Sequence, residues 1–330
     1  LLQAGAQVDT GARVSRSLLG PRTRVYDGAA VTESVICTRS EIGRGEVTHS
    51  LVGPLVNIHH ESLLIAALWP EGRGNLGSGA QVGSNHTSRL PDQSLLVGEG
   101  VFFGLSTAIK FPANYFESPY TVVATGLITG PQRIRFPFSL ISILDDVPVD
   151  APSGYNRLIP GWMFSHNLFA LLRDERKFAH RLGVETYETS VISDRTVTAV
   201  RAALVRLEAI ESPSEWYDEG RIDGVGKNVL LEVDRKRAIS AYRDLLEYYA
   251  LRRIVQDEAP VRDEERREKF LDLLERLKVR ARDSRARDFH RGRRVFHDYA
   301  EIHPEPDKDE ELLTVLSTIE HEEAHVRRRN

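Results

Sequence analysis

Val97-Gly98-Glu99-Gly100-Val101-Phe102-Phe103-Gly104-Leu105-Ser106-Thr107-Ala108-Ile109 decides the fold. Val97, Phe103 and Ile109 recur every six residues, with small or polar residues between them. Six is neither the helical nor the simple strand period. It is the repeat of a parallel β-helix, in which each hexapeptide forms one flat side of a triangular coil. Tyr115, Thr121 and Leu127 extend the grid forward. Backward, Leu76 and Val82 belong to it, and Val8, Val14, Leu19, Val25, Val31, Ile36, Ile42, Val47 and Val52 repeat it with slips of one residue. The grid breaks between Ile65 and Leu76, which predicts a loop over Trp69 to Asn75. Val14, Val31, Val82, Val97 and Ile109 are expected to be buried.

The chain has 330 residues, enough for two domains. A net charge of -4 gives no global attraction to nucleic acid or anionic membrane. No apolar run reaches the length of a membrane span. Cys37 is the single cysteine and reads as a small packing residue. These features predict a cytoplasmic protein with neither membrane nor nucleic-acid partners. The opening Leu1-Leu2-Gln3-Ala4-Gly5-Ala6 is already repeat-like, as in a piece of a longer solenoid.

The pattern changes near residue 145. The turn-rich Asp145-Asp146-Val147-Pro148-Val149-Asp150-Ala151-Pro152 leads into apolar stripes of helical period. Helices are predicted over Ser165–Leu182, from Asp194, from a cap at Asp234, over Asp263 to about Arg280, and from Asp309 onward. The expected organisation is a β-helix over 1–145 and a helical region over 146–330 that caps it. Arg262 to Arg294 reads as a solvated helix of mixed charge.

Several residues carry the types that chemistry needs. Ser84-Asn85-His86-Thr87-Ser88-Arg89 is a polar run at a coil corner, and Asn57-Ile58-His59-His60 precedes it. A histidine near neutral pH accepts a proton from a hydroxyl or amine. Ser84 and Asn85 are suited to orienting an acceptor, and Arg89 and Lys110 to phosphate. His59 and His60 are candidate substrate contacts, or outward ladder residues. Adjacent strand residues point to opposite faces, which argues against His59, His60 and His86 sharing a metal. His321-Glu322-Glu323-Ala324-His325 matches a zinc-protease pattern. Its surroundings read as a frayed, solvated end, and no metal site is expected there. Gly224-Val225-Gly226-Lys227-Asn228 lacks the spacing of a phosphate loop and reads as a turn. Trp162, Trp216 and Tyr217 read as packing residues.

The hexapeptides resemble those of left-handed β-helix acyltransferases. More closely, Ile58-His59-His60, Val82 to Arg89, Gly98 to Gly104 and Tyr120 to Gly126 resemble a bacterial family catalogued as domain of unknown function 4954. The likeness covers about residues 20 to 250 and carries no established activity. It implies a mixed fold, mainly β with α: a single-stranded left-handed parallel β-helix followed by a helical C-terminal region. The wider superfamily implies a homotrimer that binds acyl-CoA as co-substrate, with no tightly bound cofactor. It implies transfer of an acyl (acetyl) group to a sugar or sugar nucleotide, with His86 as general base. The alternatives are a non-catalytic scaffold or binding module and, further off, a γ-carbonic-anhydrase-like metal site.

Overall fold

The computed structural model describes residues 1–83, 95–145, 148–182, 188–295 and 309–328. The chain divides into two compact units, Leu1–Gly161 with Arg201–Arg237, and Trp162–Val200 with Ala238–Asn330. The first is a parallel β-solenoid of about seven turns with a small added sheet, and the second is helical.

Each coil has three sides. On side I, Val8, Val25, Ile42, Ile58, Leu76, Phe103, Val123 and Ile141 stack in register. Side II stacks Val14, Val31, Val47, Leu64, Val82, Ile109 and Thr129. Side III pairs Leu19 with Ile36, Ile36 with Val52 and Val52 with Trp69, and Val97 and Tyr115 take the inward place on the next two coils. The strands are two or three residues long, so period-two alternation gives each side two inward positions. The second takes a large apolar residue. The first takes a small one, such as Thr23, Ala29, Ser40, Ala67 or Ala80, all buried. Thr121 and Leu127 are buried in this first position, with Val123 and Thr129 in the second. The six-residue grid therefore does not run unbroken to Leu127: the corner after Tyr115 is longer, and the register moves by two.

Val31, Val82, Val97 and Ile109 are fully buried as expected, but Val14 is half-buried and Val8 is 36% exposed. Their strands, Gln7–Val8 and Arg13–Ser15, each pair on one side only. The loop expected over Trp69 to Asn75 is a coil corner of five residues, 70–74, one more than its counterparts 37–40 and 53–56, and its two ends are strand residues. Ala67–Trp69 and Asn75–Leu76 are strands, and Trp69 is a core residue whose Nε1 donates to the Gly98 carbonyl at 2.8 Å. Ile58, Leu64 and Trp69 continue the grid through a segment whose Pro, Gly and charged residues resemble a loop. The extra length falls later. Five residues separate Val47 from Val52, but fifteen separate Val82 from Val97, so one corner is about ten residues longer than its counterparts.

The last coil passes into added strands. Leu140–Ser142 pairs antiparallel with Asn156–Ile159, which pairs parallel with Asn228–Leu231, which pairs antiparallel with Trp216–Tyr217. Asn228 is buried here and donates to the Gln132 side chain at 2.9 Å. Asp234, expected to cap a helix, is instead buried inside one and held by both ends of the Arg157 guanidinium at 2.8 and 3.0 Å.

The described helices are α1 (Trp162–His166), α2 (Leu168–Leu182), α3 (Asp194–Glu208), α4 (Glu232–Gln256), α5 (Glu264–Val295) and α6 (Glu310–Arg327). The single helix expected over Ser165–Leu182 is split at Asn167. In the helical unit α5 packs on α2 and α6, burying Phe169, Phe270, Leu274, Leu277 and Ile319. Asp309 caps α6, accepting from the Glu311 and Leu312 amides. This last helix is not a frayed end. Leu312, Val315, Leu316, Ile319, Glu322 and Val326 recur three or four apart on one buried face.

Candidate functional site

The corner between sides II and III repeats a tripeptide, Ser15-Arg16-Ser17, Thr32-Glu33-Ser34 and Thr48-His49-Ser50, with Ile65-Ala66-Ala67 next. The central residues all turn the chain in the left-handed region, at φ 47, 49, 50 and 50°. Each following serine accepts the amide of the next coil: Ser34 to Ser17 at 3.0 Å, Ser50 to Ser34 at 3.1 Å and Ala67 to Ser50 at 3.1 Å. This hydroxyl ladder satisfies amides that the tight corner leaves without a strand partner. Outside it, Glu33 accepts from Arg16 Nε at 2.6 Å and meets His49 Nε2 at 2.5 Å. The Arg16 guanidinium foremost, with the His49 imidazole, holds the Glu33 carboxyl below its ordinary range. The other His49 ring nitrogen lies 3.1 Å from Thr48 Oγ1.

On the fifth coil this same corner has more residues than its counterparts. Gly83 takes φ 82°, and a Cβ there would stand 2.3 Å from the Ile65 carbonyl oxygen, so only glycine fits. Side II ends at Gln81–Val82 and side III resumes at Leu95–Leu96. Ser84, Asn85, His86 and Arg89 fall in this span and lie outside the described residues. Lys110 follows Ile109, the register partner of Val82, so it stands beside Gly83 on the next coil. Its amide donates to the Thr129 carbonyl at 3.3 Å, and its side chain is half-buried.

His59 and His60 occupy a different corner, between sides I and II on the fourth coil. Tyr26, two coils earlier, lies across Gly43, where a Cβ would come within 2.8 Å of its ring. Its hydroxyl thereby reaches 3.3 Å from His59 Nδ1. The His59 and His60 rings are 5.9 Å apart, on the same outer corner and not on opposite faces. The strand ends at His59, and His60 turns at φ 54°, which cancels the alternation expected of neighbours in a strand. The expected site residues thus divide, His59 with His60 at one corner and Lys110 at another. Sequence reasoning leaves His49, at the same corner as Gly83 two coils earlier, as an outward polar residue. The signal was the repeated Ser/Thr-x-Ser at intervals of 17 and 16 residues.

Among the described residues no group of three or more His, Cys, Asp and Glu is placed to hold a metal ion. His325 Nε2 is 2.9 Å from the Ala259 carbonyl oxygen. Glu322 of the same motif is buried and accepts from the Tyr248 hydroxyl at 3.2 Å. The Gly224 and Gly226 amides converge on the Glu219 carboxylate, which fills the place an anion would take, so this turn serves the chain itself. No described helix is long and apolar enough to cross a membrane.

No profile of a known protein family matches the chain. It is similar to an uncharacterized protein of Treponema pallidum (strain Nichols), 28% identical over 200 residues, covering 58% of this chain and 26% of that protein. The chain spans about a quarter of the length of that relative.

Proposed function

We propose that the protein is an acyltransferase of the hexapeptide-repeat type, transferring an acetyl or other acyl group from acyl-CoA to a sugar or sugar nucleotide. The carrying observation is that one corner of an otherwise tightly stacked solenoid has about ten more residues than its counterparts. They follow Gly83 and include Ser84-Asn85-His86-Thr87-Ser88-Arg89, and Lys110 stands beside Gly83 on the next coil. Residues added between the elements of a rigid scaffold are where function concentrates.

In this proposal His86 removes the proton from the acceptor hydroxyl or amine as that atom attacks the thioester carbonyl. The tetrahedral intermediate then collapses, the carbon–sulfur bond breaks and coenzyme A leaves as the thiol. Arg89 and Lys110 meet the phosphates of the donor or of a nucleotide acceptor, while Ser84 and Asn85 orient the acceptor. His59 and His60 sit at the far edge of side II, suited to an extended acceptor. The resemblance of the hexapeptides to those of left-handed β-helix acyltransferases supports this reading, as does the solenoid fold.

Release of free thiol from acetyl-CoA, followed across a panel of amino sugars and nucleotide sugars, tests it. His86→Ala is expected to lower turnover by roughly 10²- to 10⁴-fold with an unchanged melting temperature. Absence of any coenzyme A binding by the folded protein would leave the scaffold reading.

A further inference from the structure

The buried stripe of α6 is apolar except at one place. Leu312, Val315, Leu316, Ile319 and Val326 carry it, and Glu322 stands between Ile319 and Val326, also buried. Glu322 Oε1 accepts from the Tyr248 hydroxyl of α4 at 3.2 Å and lies 3.6 Å from Arg252 Nε. Its Oε2 is buried too, and meets no hydrogen-bond donor among the described residues. Arg252 faces a second carboxylate. Glu175 of α2 accepts from its Nη1 at 3.0 Å and from its Nη2 as well. Two acids therefore face one guanidinium, and Glu175 holds both of its ends. A neutral Glu322 leaves one negative and one positive charge in this interior. An ionised Glu322 leaves two negative charges against one positive, with one of its oxygens unpaired, and such a buried charge is costly. Along the rest of the helix the facing charges are matched. Lys278 of α5 donates to Glu323 at 2.6 Å, Arg285 of α5 holds Asp309, and Asp174 of α2 pairs with Arg173 and feels Glu311.

We propose that α6 is a pH-released latch: ionisation of Glu322 opens it from α5 and α2 while those two helices stay packed on each other. Local opening is the response the contacts favour. The Phe169 amide of α2 donates to Ser284 Oγ of α5 at 3.1 Å, and Arg280 of α5 lies over the Phe164 ring of α1 at 5.7 Å, both without α6. Tyr248 keeps the same ring 6.4 Å away. Opening returns Glu322 to water and leaves Arg252 with Glu175, so it removes the imbalance of charge and keeps the stronger pair. The sign follows from linkage. Burial foremost, with the Glu175 charge, pushes the Glu322 carboxyl up to about 7. The closed helix therefore binds the proton more tightly than the open one. Closure is favoured in full below the ordinary glutamate value near 4.5 and loses that favour as pH rises through about 7. The output is the stripe itself, five apolar residues hidden in acid and uncovered more often above neutrality. This inference does not depend on the acyl-transfer reading.

Hydrogen exchange of the full chain, read by mass spectrometry on fragments of α6 and α5 at about pH 6 and pH 8 and corrected for the intrinsic exchange rate, tests the latch. The opening constant of α6 should rise roughly tenfold between the two, the linkage of a carboxyl at about 7 closed and near 4.5 open. The stretch 270–281 of α5 should hold steady. Glu322→Gln should abolish the rise in α6. Glu175→Gln gives a second reading that does not depend on how that variant folds. It releases Arg252 to Glu322, so the rise should move to lower pH and vanish from this interval, whereas loss of a merely structural bridge would speed exchange equally at both pH values. Asp174→Asn, at the other acid of α2 that burial pushes up, should leave the rise in place. Exchange of α6 that does not change with pH, α5 and α6 rising together, a rise that survives Glu322→Gln, an equal effect of Glu175→Gln at both pH values, or a rise lost in Asp174→Asn would overturn the proposal.

Discussion

Glu322 shows how one residue can belong to a motif and to a core at once. Read along the sequence it is the carboxylate of a His-Glu-x-x-His pattern. In the helical unit it points inward, accepts from Tyr248, and lies 3.6 Å from Arg252 Nε. That guanidinium is already committed to Glu175, to which it donates from Nη1 at 3.0 Å. Burial dominates, with the Glu175 charge adding to it, and the Glu322 carboxyl is pushed up to about 7 despite Arg252 and Tyr248. An acid whose pKa is raised by folding binds its proton more tightly in the folded state. Its contribution is therefore full below the ordinary glutamate value near 4.5, and is lost as pH rises through about 7. The loss amounts to about 3 kcal/mol at most, from the size of the shift. Glu322→Gln keeps an acceptor for Tyr248 and removes the titration. Urea unfolding between pH 5 and 8 should show the wild type losing stability relative to Glu322→Gln over this interval. Parallel pH profiles for the two proteins would refute the assignment.

At the scale of the element, the side of a coil was readable wherever its second inward position held a bulky apolar residue. The grid Val25-Val31-Ile36-Ile42-Val47-Val52 was visible for that reason. It was lost at Trp69 because the turn after it is written Pro70-Glu71-Gly72-Arg73-Gly74, the composition of a loop. Composition does not report that Gly53 and Gly72 pack backbone to backbone: a Cβ on Gly53 would come within 2.4 Å of the Gly72 amide nitrogen. The small inward residues were invisible as a class, since serine and threonine in a polar run look solvated until the hydroxyl ladder pairs them. The site divides the same way. His59 and His60 were found by residue type, but their corner, and the place of His49, depend on register that only stacking reveals. Stacking also predicts a gradient along side II. Val31 is enclosed by coils on both sides, and Val14 by one. Val31→Asp should cost about 3–5 kcal/mol by burying an uncompensated carboxylate, and Val14→Asp about 1–2 kcal/mol, since it keeps access to water. Equal losses in denaturant titrations would show that the first coil is as closed as the second.

At the scale of the whole molecule, a change of composition and a structural boundary are different things. Gly, Val, Ser and Thr give way to helical stripes near residue 145, yet the solenoid unit takes residues up to Gly161 and then Arg201–Arg237. The cause is strand pairing across a long sequence gap. Asn156–Ile159 extends the last coil and would stand as an open edge without Asn228–Leu231 beside it. Val229, Leu230 and Tyr217 are wholly buried in that added sheet, and Asp234 completes it through Arg157. Removing everything after about residue 150 takes away all three added strands. It strips the antiparallel pairing from Leu140–Ser142. An unpaired strand edge is a template for aggregation. A chain of residues 1–150 should therefore be insoluble or bind a hydrophobic dye strongly, and limited proteolysis of the full chain should accumulate no fragment ending between 145 and 161. A soluble, monomeric 1–150 piece that unfolds cooperatively would show instead that the coils stand without the returning strands, and that the segment 201–237 is an attachment and no part of the solenoid's closure.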